Sequence, residues 1–272
     1  ARRRRLPLRL VHAVNVSAVA YSGGIDPAGH FLEELESLGD QQLADASAMI
    51  GKAHPELDIE LSLRDAHPAT MLIDESQDAV LTVVGSRGLG GFRGALLGST
   101  AVALTGHAHS PVAVIRGRQP DDEPPITGAV VVGIDGSPAS EAATAWAFEE
   151  AAARDTELIA VHAWTEFASD LAYFRAHQAI VDWTGFEANQ SKMLAERLAG
   201  WSEHYPDVRV HRVINRDRPV RALLQFTDDA QLVVVGSRGR GGFTGMLLGS
   251  TSRALAYHCP CPLLIARPQR DG

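Results

Sequence analysis

The stretch "VVGSRGRGGFTGMLLGST" runs from Val234 to Thr251, and "VVGSRGLGGFRGALLGST" runs from Val83 to Thr100. Fifteen of the eighteen positions are identical, and the copies lie 151 residues apart. A period of that length is a domain, not a solenoid unit. The 272 residues of the chain accommodate two domains of ordinary size. Each copy begins as a buried strand, passes through a glycine-rich loop and ends in Gly-Ser-Thr before a helical pattern.

Working outward from the second copy, "GAVVVGID" (Gly128–Asp135) is a continuous apolar run, the pattern of a strand buried on both faces. Ser137 and Pro138 then read as the N-cap and first position of a helix. "ELIAVHAW" is a second strand, and a long helix is expected over about 186–204. "DVRVHRVI" is a third strand, "PVRALLQFTDDA" a helix, "QLVVVGS" a fourth strand, "STSRALAYH" a helix and "PLLIARP" a fifth strand. Strands alternating with helices predict a parallel α/β sheet covered on both faces. The first copy has the same order but starts late. "LPLRLVHAV" (Leu6–Val14) matches "TELIAVHAW", and "LDIELSL", "DAVLTVVGS" and "PVAVIRG" match the third to fifth strands. No stretch of the first copy corresponds to "GAVVVGIDGS". The domains expected are 1–117 and 128–272, joined by a proline- and acid-rich linker over 118–127.

Hydrophobic residues make up 45% and charged residues 21%, enough for each half to bury a core. The net charge of −8 argues against a general nucleic-acid binder. No apolar run has membrane-spanning length. Arg2 to Arg5 lead into an apolar stretch too short for a secretory signal, with no cleavage site. That arginine run reads as the basic last turn of a helix, with Arg154 at the matching place in the second copy. Two cysteines in the whole chain, Cys259 and Cys261, suggest a reducing compartment, so a cytoplasmic protein is expected.

The loop leaves the carboxyl end of a strand, where open α/β sheets bind ligands. Glycines let backbone amides approach an anion. Gly-Ser-Thr at a helix N-terminus adds free amides, hydroxyls and the helix dipole. Arg87 and Arg238 add positive charge. A phosphate-bearing ligand, a nucleotide, is the expectation. The Walker pattern requires a lysine that is absent here. The dinucleotide pattern fails because Thr244 stands at its third glycine. The spacing present is Gly, two residues, Gly, nine residues, Gly-Ser: Gly85, Gly88, Gly98 and Ser99, then Gly236, Gly239, Gly249 and Ser250.

That spacing, with "VGIDGS" on the first strand and "VHA" on the second, resembles the ATP-binding class of the universal stress protein family, and the repeat is similar to its tandem members. The resemblance implies two five-stranded parallel α/β sandwich lobes of the adenine-nucleotide alpha-hydrolase-like type, the first lacking its first strand. It implies ATP as the ligand, alone or with magnesium. Gly133, Ile134 and Asp135 would line the adenine side with Ala163. Val235 and Gly236 would meet the ribose side, and Arg238, Gly239, Gly249, Ser250, Thr251 and Ser252 the phosphates. The first-copy counterparts are Ala13, Val84, Gly85, Arg87, Gly88, Gly98, Ser99 and Thr100. Nothing there matches Asp135, and Ala101 replaces Ser252, so adenine binding is expected of the second copy.

The resemblance further implies a nucleotide-dependent regulator of a stress or dormancy response, acting on a protein partner, and no role with nucleic acid or membrane. It places the fifth strands at the lobe–lobe contact and as the route to a homodimer. A slow ATPase or nucleotidyl transferase, a chaperone-like scaffold and a cyclic-nucleotide binder are the alternatives. The loop holds no lysine and the sequence no paired carboxylates for metal-assisted phosphoryl transfer, which favours binding over turnover. Four further signals take bland readings. "YSGGIDPAG" (Tyr21–Gly29) resembles a pyrophosphatase loop but follows the wrong strand. "HCPCP" (His258–Pro262) offers too few ligands for zinc, and the matching first-copy stretch has no cysteine, so a structural role is expected. His12 and His162 read as core histidines. The four tryptophans, Trp146, Trp164, Trp183 and Trp201, read as packing residues.

Overall fold

A computed structural model describes residues 1–14, 30–88, 96–117, 122–164, 183–241 and 247–268. The Tyr21–Gly29 loop and parts of both glycine loops lie outside the described residues. The chain separates into two compact units, Ala1–Asp78 and Ala79–Gly272.

The larger unit carries the five strands that the second copy predicts, and two strands of the first copy beside them. Its strands are β3 (Thr82–Gly85), β4 (Val112–Ile115), β5 (Ala129–Gly133), β6 (Leu158–Ala163), β7 (Val210–Asn215), β8 (Ala230–Gly236) and β9 (Leu263–Ala266). They form one sheet in the order β3-β4-β9-β8-β5-β6-β7. All neighbours are parallel except β4 and β9, which run antiparallel with Ala113 opposite Leu264. The helices of this unit are α3 (Ser99–His107), α4 (Pro138–Ala153), α5 (Trp183–His204), α6 (Pro219–Leu224) and α7 (Ser250–His258). β5 and β8 are buried along nearly their whole length, as their unbroken apolar runs require.

α4 lies on the sheet through Ala143, Ala147 and Ala151, spaced one turn apart, and Phe148 beside them. The alanines let the helix backbone come close, while Phe148 reaches a stack formed with Trp201 and Tyr205, ring centroids 6.0 and 5.8 Å away. Trp146 and Trp201 both pack against this core. Trp164 instead lies under Arg216, 5.6 Å from its guanidinium. The Trp183 side chain lies outside the described residues.

The first repeat departs from a five-stranded lobe for a definite reason. In the second repeat β5 is the central strand, bonded to β8 on one side and β6 on the other. Among the described residues, the four strands of the first repeat divide between two sheets. Its last two, β3 and β4, extend the sheet of the second repeat. Val83 on β3 is 56% exposed, whereas its counterpart Val234 is fully buried.

The smaller unit holds β1 (Leu8–Val14) and β2 (Ile59–Asp65), with α1 (His30–Ala53) and α2 (Pro68–Glu75). β1 and β2 pair in parallel, Leu8 opposite Ile59. Glu75 joins Arg9 at 3.0 Å and Arg64 at 2.9 Å, tying α2 to both strands. The hydrogen bond from Arg9 holds the Glu75 carboxyl below its ordinary value. Arg2–Arg4 form a short 3-10 turn closed by Arg5 at φ 54°. Asp155, just past α4, has φ 50°. Arg5 and Asp155 occupy matching places shortly before the leucine that starts each strand, so the arginine run has the backbone of a helix end.

The two fifth strands, β4 and β9, each have both edges hydrogen-bonded within this one chain. This corrects the expectation of a homodimer through those strands. An exchange of arginines accompanies the pairing. Arg116, just after β4, donates to the carbonyls of Ala256, Tyr257 and Cys259 at the end of α7. Arg267, just after β9, donates to Leu104 and Thr105 in the last turn of α3. Each repeat thus supplies a cation to the negative end of the other repeat's last helix.

Candidate functional site

Ser137 caps α4 as predicted: its hydroxyl oxygen accepts from the Ser140 amide at 3.2 Å. Two residues earlier, Asp135 leaves β5 and turns its carboxylate back on this cap. Its Oδ1 accepts from the Ser137 amide at 2.9 Å and from the Ser137 hydroxyl at 2.7 Å. Its Oδ2 accepts from the Arg240 amide, 3.1 Å away in the glycine loop. The carboxylate therefore pins the loop of β8 to the N-terminal turn of α4. A Cβ on Gly239 would stand 2.5 Å from Oδ2, so a side chain at this loop position would have to displace the carboxylate. Replacing the cap, Ser137→Ala, is expected to lower stability by about 1 kcal/mol in urea denaturation. The loss of one Asp135 partner should loosen the loop as well.

The far end of the loop is anchored by the Gly249 amide, which donates to the Ser237 carbonyl at 2.8 Å. The first copy repeats this bond from Gly98 to Ser86 at 2.7 Å. Ser252 lies in the first turn of α7, and its hydroxyl donates to the Gly236 carbonyl. That hydroxyl braces the helix against the strand rather than facing a ligand, and Ala101 lacks the brace.

These elements enclose a cleft of about 280 Å³ at the carboxyl ends of β5, β6 and β8. All twelve second-copy residues expected there line it: Gly133, Ile134, Asp135, Ala163, Val235, Gly236, Arg238, Gly239, Gly249, Ser250, Thr251 and Ser252. Sequence reasoning missed Val161, Pro219, Leu223, Arg240 and Gly241. Pro219 and Leu223 stand one turn apart on α6, which follows β7, so they share a face. The signal was available: every segment leaving a strand's carboxyl end converges on such a crevice. The cleft has an apolar wall of Ile134, Val161, Ala163, Leu223 and Val235. Its other lining residues include Arg238 and Arg240, the glycines of the loop and the first turn of α7. That division suits a ligand with a flat apolar part and an anionic tail.

His162 does not line this cleft. It is buried, its Nδ1 2.7 Å from the Ile134 carbonyl and its Nε2 2.9 Å from the Gln190 side-chain oxygen. Both ring nitrogens are engaged, as a core histidine requires.

The first-copy residues are arranged otherwise. Ala13 lies on β1 in the smaller unit, whereas Val84, Gly85, Arg87, Gly88, Gly98, Ser99 and Thr100 lie in the larger. Gly85 and Arg87 face a separate cavity of about 450 Å³, together with Arg116, Tyr257, His258 and Cys259. Among the described residues no carboxylate on a β5-like strand stands beside them, and no cluster of three or more His, Cys, Asp or Glu side chains is arranged to hold a metal. No helix among them is long and apolar enough to cross a membrane.

An open α/β sheet with a glycine loop closing onto a helix N-terminus defines a class of small-ligand sites. The model of the universal stress protein family matches residues 1–116 and again 127–267. The chain therefore belongs to the universal stress protein family, with the domain present twice. It is 41% identical over 269 residues to universal stress protein Rv2623 of Mycobacterium tuberculosis, covering 97% of this chain and 88% of that one. It is 39% identical over 275 residues to a universal stress protein of Mycolicibacterium smegmatis, with the same coverage of 97% and 88%. Its fold resembles the crystal structure of a universal stress protein from Archaeoglobus fulgidus DSM 4304, with a TM-score of 0.66 at 21% identity over 96% of this chain and 87% of that one.

Proposed function

We propose that the second repeat binds ATP, alone or with magnesium, and that its occupancy is read by a protein partner in a stress or dormancy response. One observation carries this reading. A single cleft joins an apolar wall to Arg238, Arg240, the loop glycines and the N-terminus of α7. Asp135 supplies three of its lone-pair positions to the protein and keeps acceptor capacity at the apolar end of the cleft. A base amine or ribose hydroxyl would meet it there. The terminal phosphates would lie toward Gly249, Ser250 and Thr251.

A binding module suits this site better than a phosphoryl-transfer enzyme, because of the two candidate bases His162 is turned into the core and Asp135 is held by Ser137 and Arg240. A cytoplasmic setting belongs to the same proposal, supported by two cysteines that form no disulfide. So does a homodimer of tandem chains, formed through a surface other than the edges of β4 and β9.

The test is calorimetry with ATP and with adenosine on the double variant Arg238→Ala/Arg240→Ala. Without charge-assisted hydrogen bonds from the guanidinium groups to the phosphates, ATP should bind at least about tenfold more weakly. Adenosine affinity should stay within about twofold of the parent. Equal losses for both ligands would contradict the assignment of the phosphate end. Competition between ATP and cyclic AMP separates the proposal from a cyclic-nucleotide sensor.

A further inference from the structure

Both repeats leave their last helix through the same turn. The Ala108 amide donates to Leu104 at 3.0 Å, and the Cys259 amide donates to Leu255 at 2.8 Å. The first repeat builds this turn as "HAHSP" (His107–Pro111), with Ala108 and Ser110 where the second has Cys259 and Cys261. The turn itself therefore has no need of sulfur. Cys259 is extended at φ −66° and ψ 124°, as a residue before proline must be. Extended backbone points residues two apart to the same side. The two sulfurs consequently meet, 3.6 Å apart. They are the only cysteines of the chain, and both are thiols.

The cavity beside Cys259 is lined by Arg87, Arg116 and His258, with Asp122 the one carboxylate in its lining. Arg116 donates to the Cys259 carbonyl at 3.2 Å and lines the same cavity as Cys259, with Arg87, Tyr257 and His258. The hydrogen bond with Cys261 holds the Cys259 thiol below its ordinary value against the opposing effect of burial, and the charge of Arg116 acts in the same direction. Cys259 is among the residues lining this cavity with 1% of its surface exposed, and Cys261 is fully buried. We propose that Cys259 and Cys261 are a dithiol modification site oxidised by small hydroperoxides to an intramolecular disulfide.

The Cys259 thiolate attacks the outer peroxide oxygen. The O–O bond breaks, and the alkoxide leaves with a proton as alcohol, or as water when the oxidant is hydrogen peroxide. Cys259 is then a sulfenic acid. The Cys261 sulfur attacks the Cys259 sulfur, the S–S bond forms, and hydroxide departs with the Cys261 proton as water. Two thiols are oxidised and one peroxide is reduced. Closing the 3.6 Å gap to a bond length of about 2.05 Å brings the two sulfurs about 1.5 Å closer. Both cysteines are buried, which disfavours attack by a bulky disulfide such as oxidised glutathione more than by a hydroperoxide of a few atoms.

The test uses the folded full chain, treated with hydrogen peroxide or with oxidised glutathione. Thiol titration and mass spectrometry of the tryptic peptide spanning both cysteines are the readouts. Expected with peroxide is the joint loss of both thiols and of two hydrogens from that peptide, in a chain that stays free of intermolecular disulfides. Oxidised glutathione should leave the thiols intact. Cys261→Ser should stop at a Cys259 sulfenic acid that dimedone traps, and Cys259→Ser should leave Cys261 reduced. Oxidation that occurs only as urea unfolds the chain, or dimedone labelling absent from Cys261→Ser, would overturn the proposal.

Discussion

Gly236→Ala is expected to lower the melting temperature by roughly 6–12 °C and to abolish nucleotide binding, while Gly85→Ala at the matching position of the first repeat leaves both nearly unchanged. The contrast follows from one missing neighbour. A Cβ on Gly236 would stand 2.6 Å from the Ala139 carbonyl carbon and 2.7 Å from its oxygen, in the first turn of α4. Those are backbone atoms of a helix fixed on the sheet, and they cannot yield without moving α4. Overpacking of this kind costs about 3 kcal/mol. It also displaces Asp135 and Ser137, which hold the loop. At Gly85 the nearest atom to a Cβ is the Arg87 carbonyl oxygen, 3.3 Å away. Among the described residues no helix backbone crowds Gly85 as α4 crowds Gly236. A small adjustment of the open loop accommodates the methyl, and the reduced freedom of the unfolded chain offsets part of its cost. Thermal denaturation of both variants, with ATP calorimetry, checks this directly. Equal destabilisation by the two substitutions would contradict the structure of the first repeat.

Arg116→Ala should cost about 3 kcal/mol of unfolding free energy, measured in urea. The guanidinium is half-buried, and burial pushes its pKa below the ordinary value without discharging it. Its charge is met by carbonyls at the negative end of α7: Ala256, Tyr257 and Cys259. Removing the side chain leaves those acceptors facing a cavity and cuts the tie between β4 and α7. Arg267→Ala should also lower stability, because that guanidinium donates to the Leu104 and Thr105 carbonyls. Arg116→Lys keeps the charge but loses the planar fork, and should recover less than half of the loss.

Much of the second repeat was readable from its residues, because its strands are unbroken apolar runs and its turns carry explicit chemistry. Ser137 and Pro138 mark the start of α4, and the cap is formed as read. "STSRALAYH" is α7 to the residue. The glycine spacing located the cleft because a loop that must approach both Asp135 and a helix N-terminus tolerates little but glycine. Three features were not readable, each because it depends on segments far apart in the chain. The first repeat's strands carry the right pattern, yet pairing requires a central partner, and a pattern along one strand does not say which strands are adjacent. Leu223 enters the cleft from a segment that linear order keeps apart from the glycine loop. Arg116 and Arg267 each follow a buried strand and read singly as surface charges. The available signal was their identical place in the two repeats, 151 residues apart. Ser252 lines the cleft, and its hydroxyl also donates to the Gly236 carbonyl, a bond that the sequence does not reveal.

The central claim is one working nucleotide site per chain, in the second repeat. The most direct test is to saturate the purified chain with ATP, remove free ligand, denature it and count the nucleotide released. The account predicts about one ATP per chain, falling to none in Gly236→Ala and unchanged in Gly85→Ala. Two nucleotides per chain, or none with the parent sequence, would contradict it.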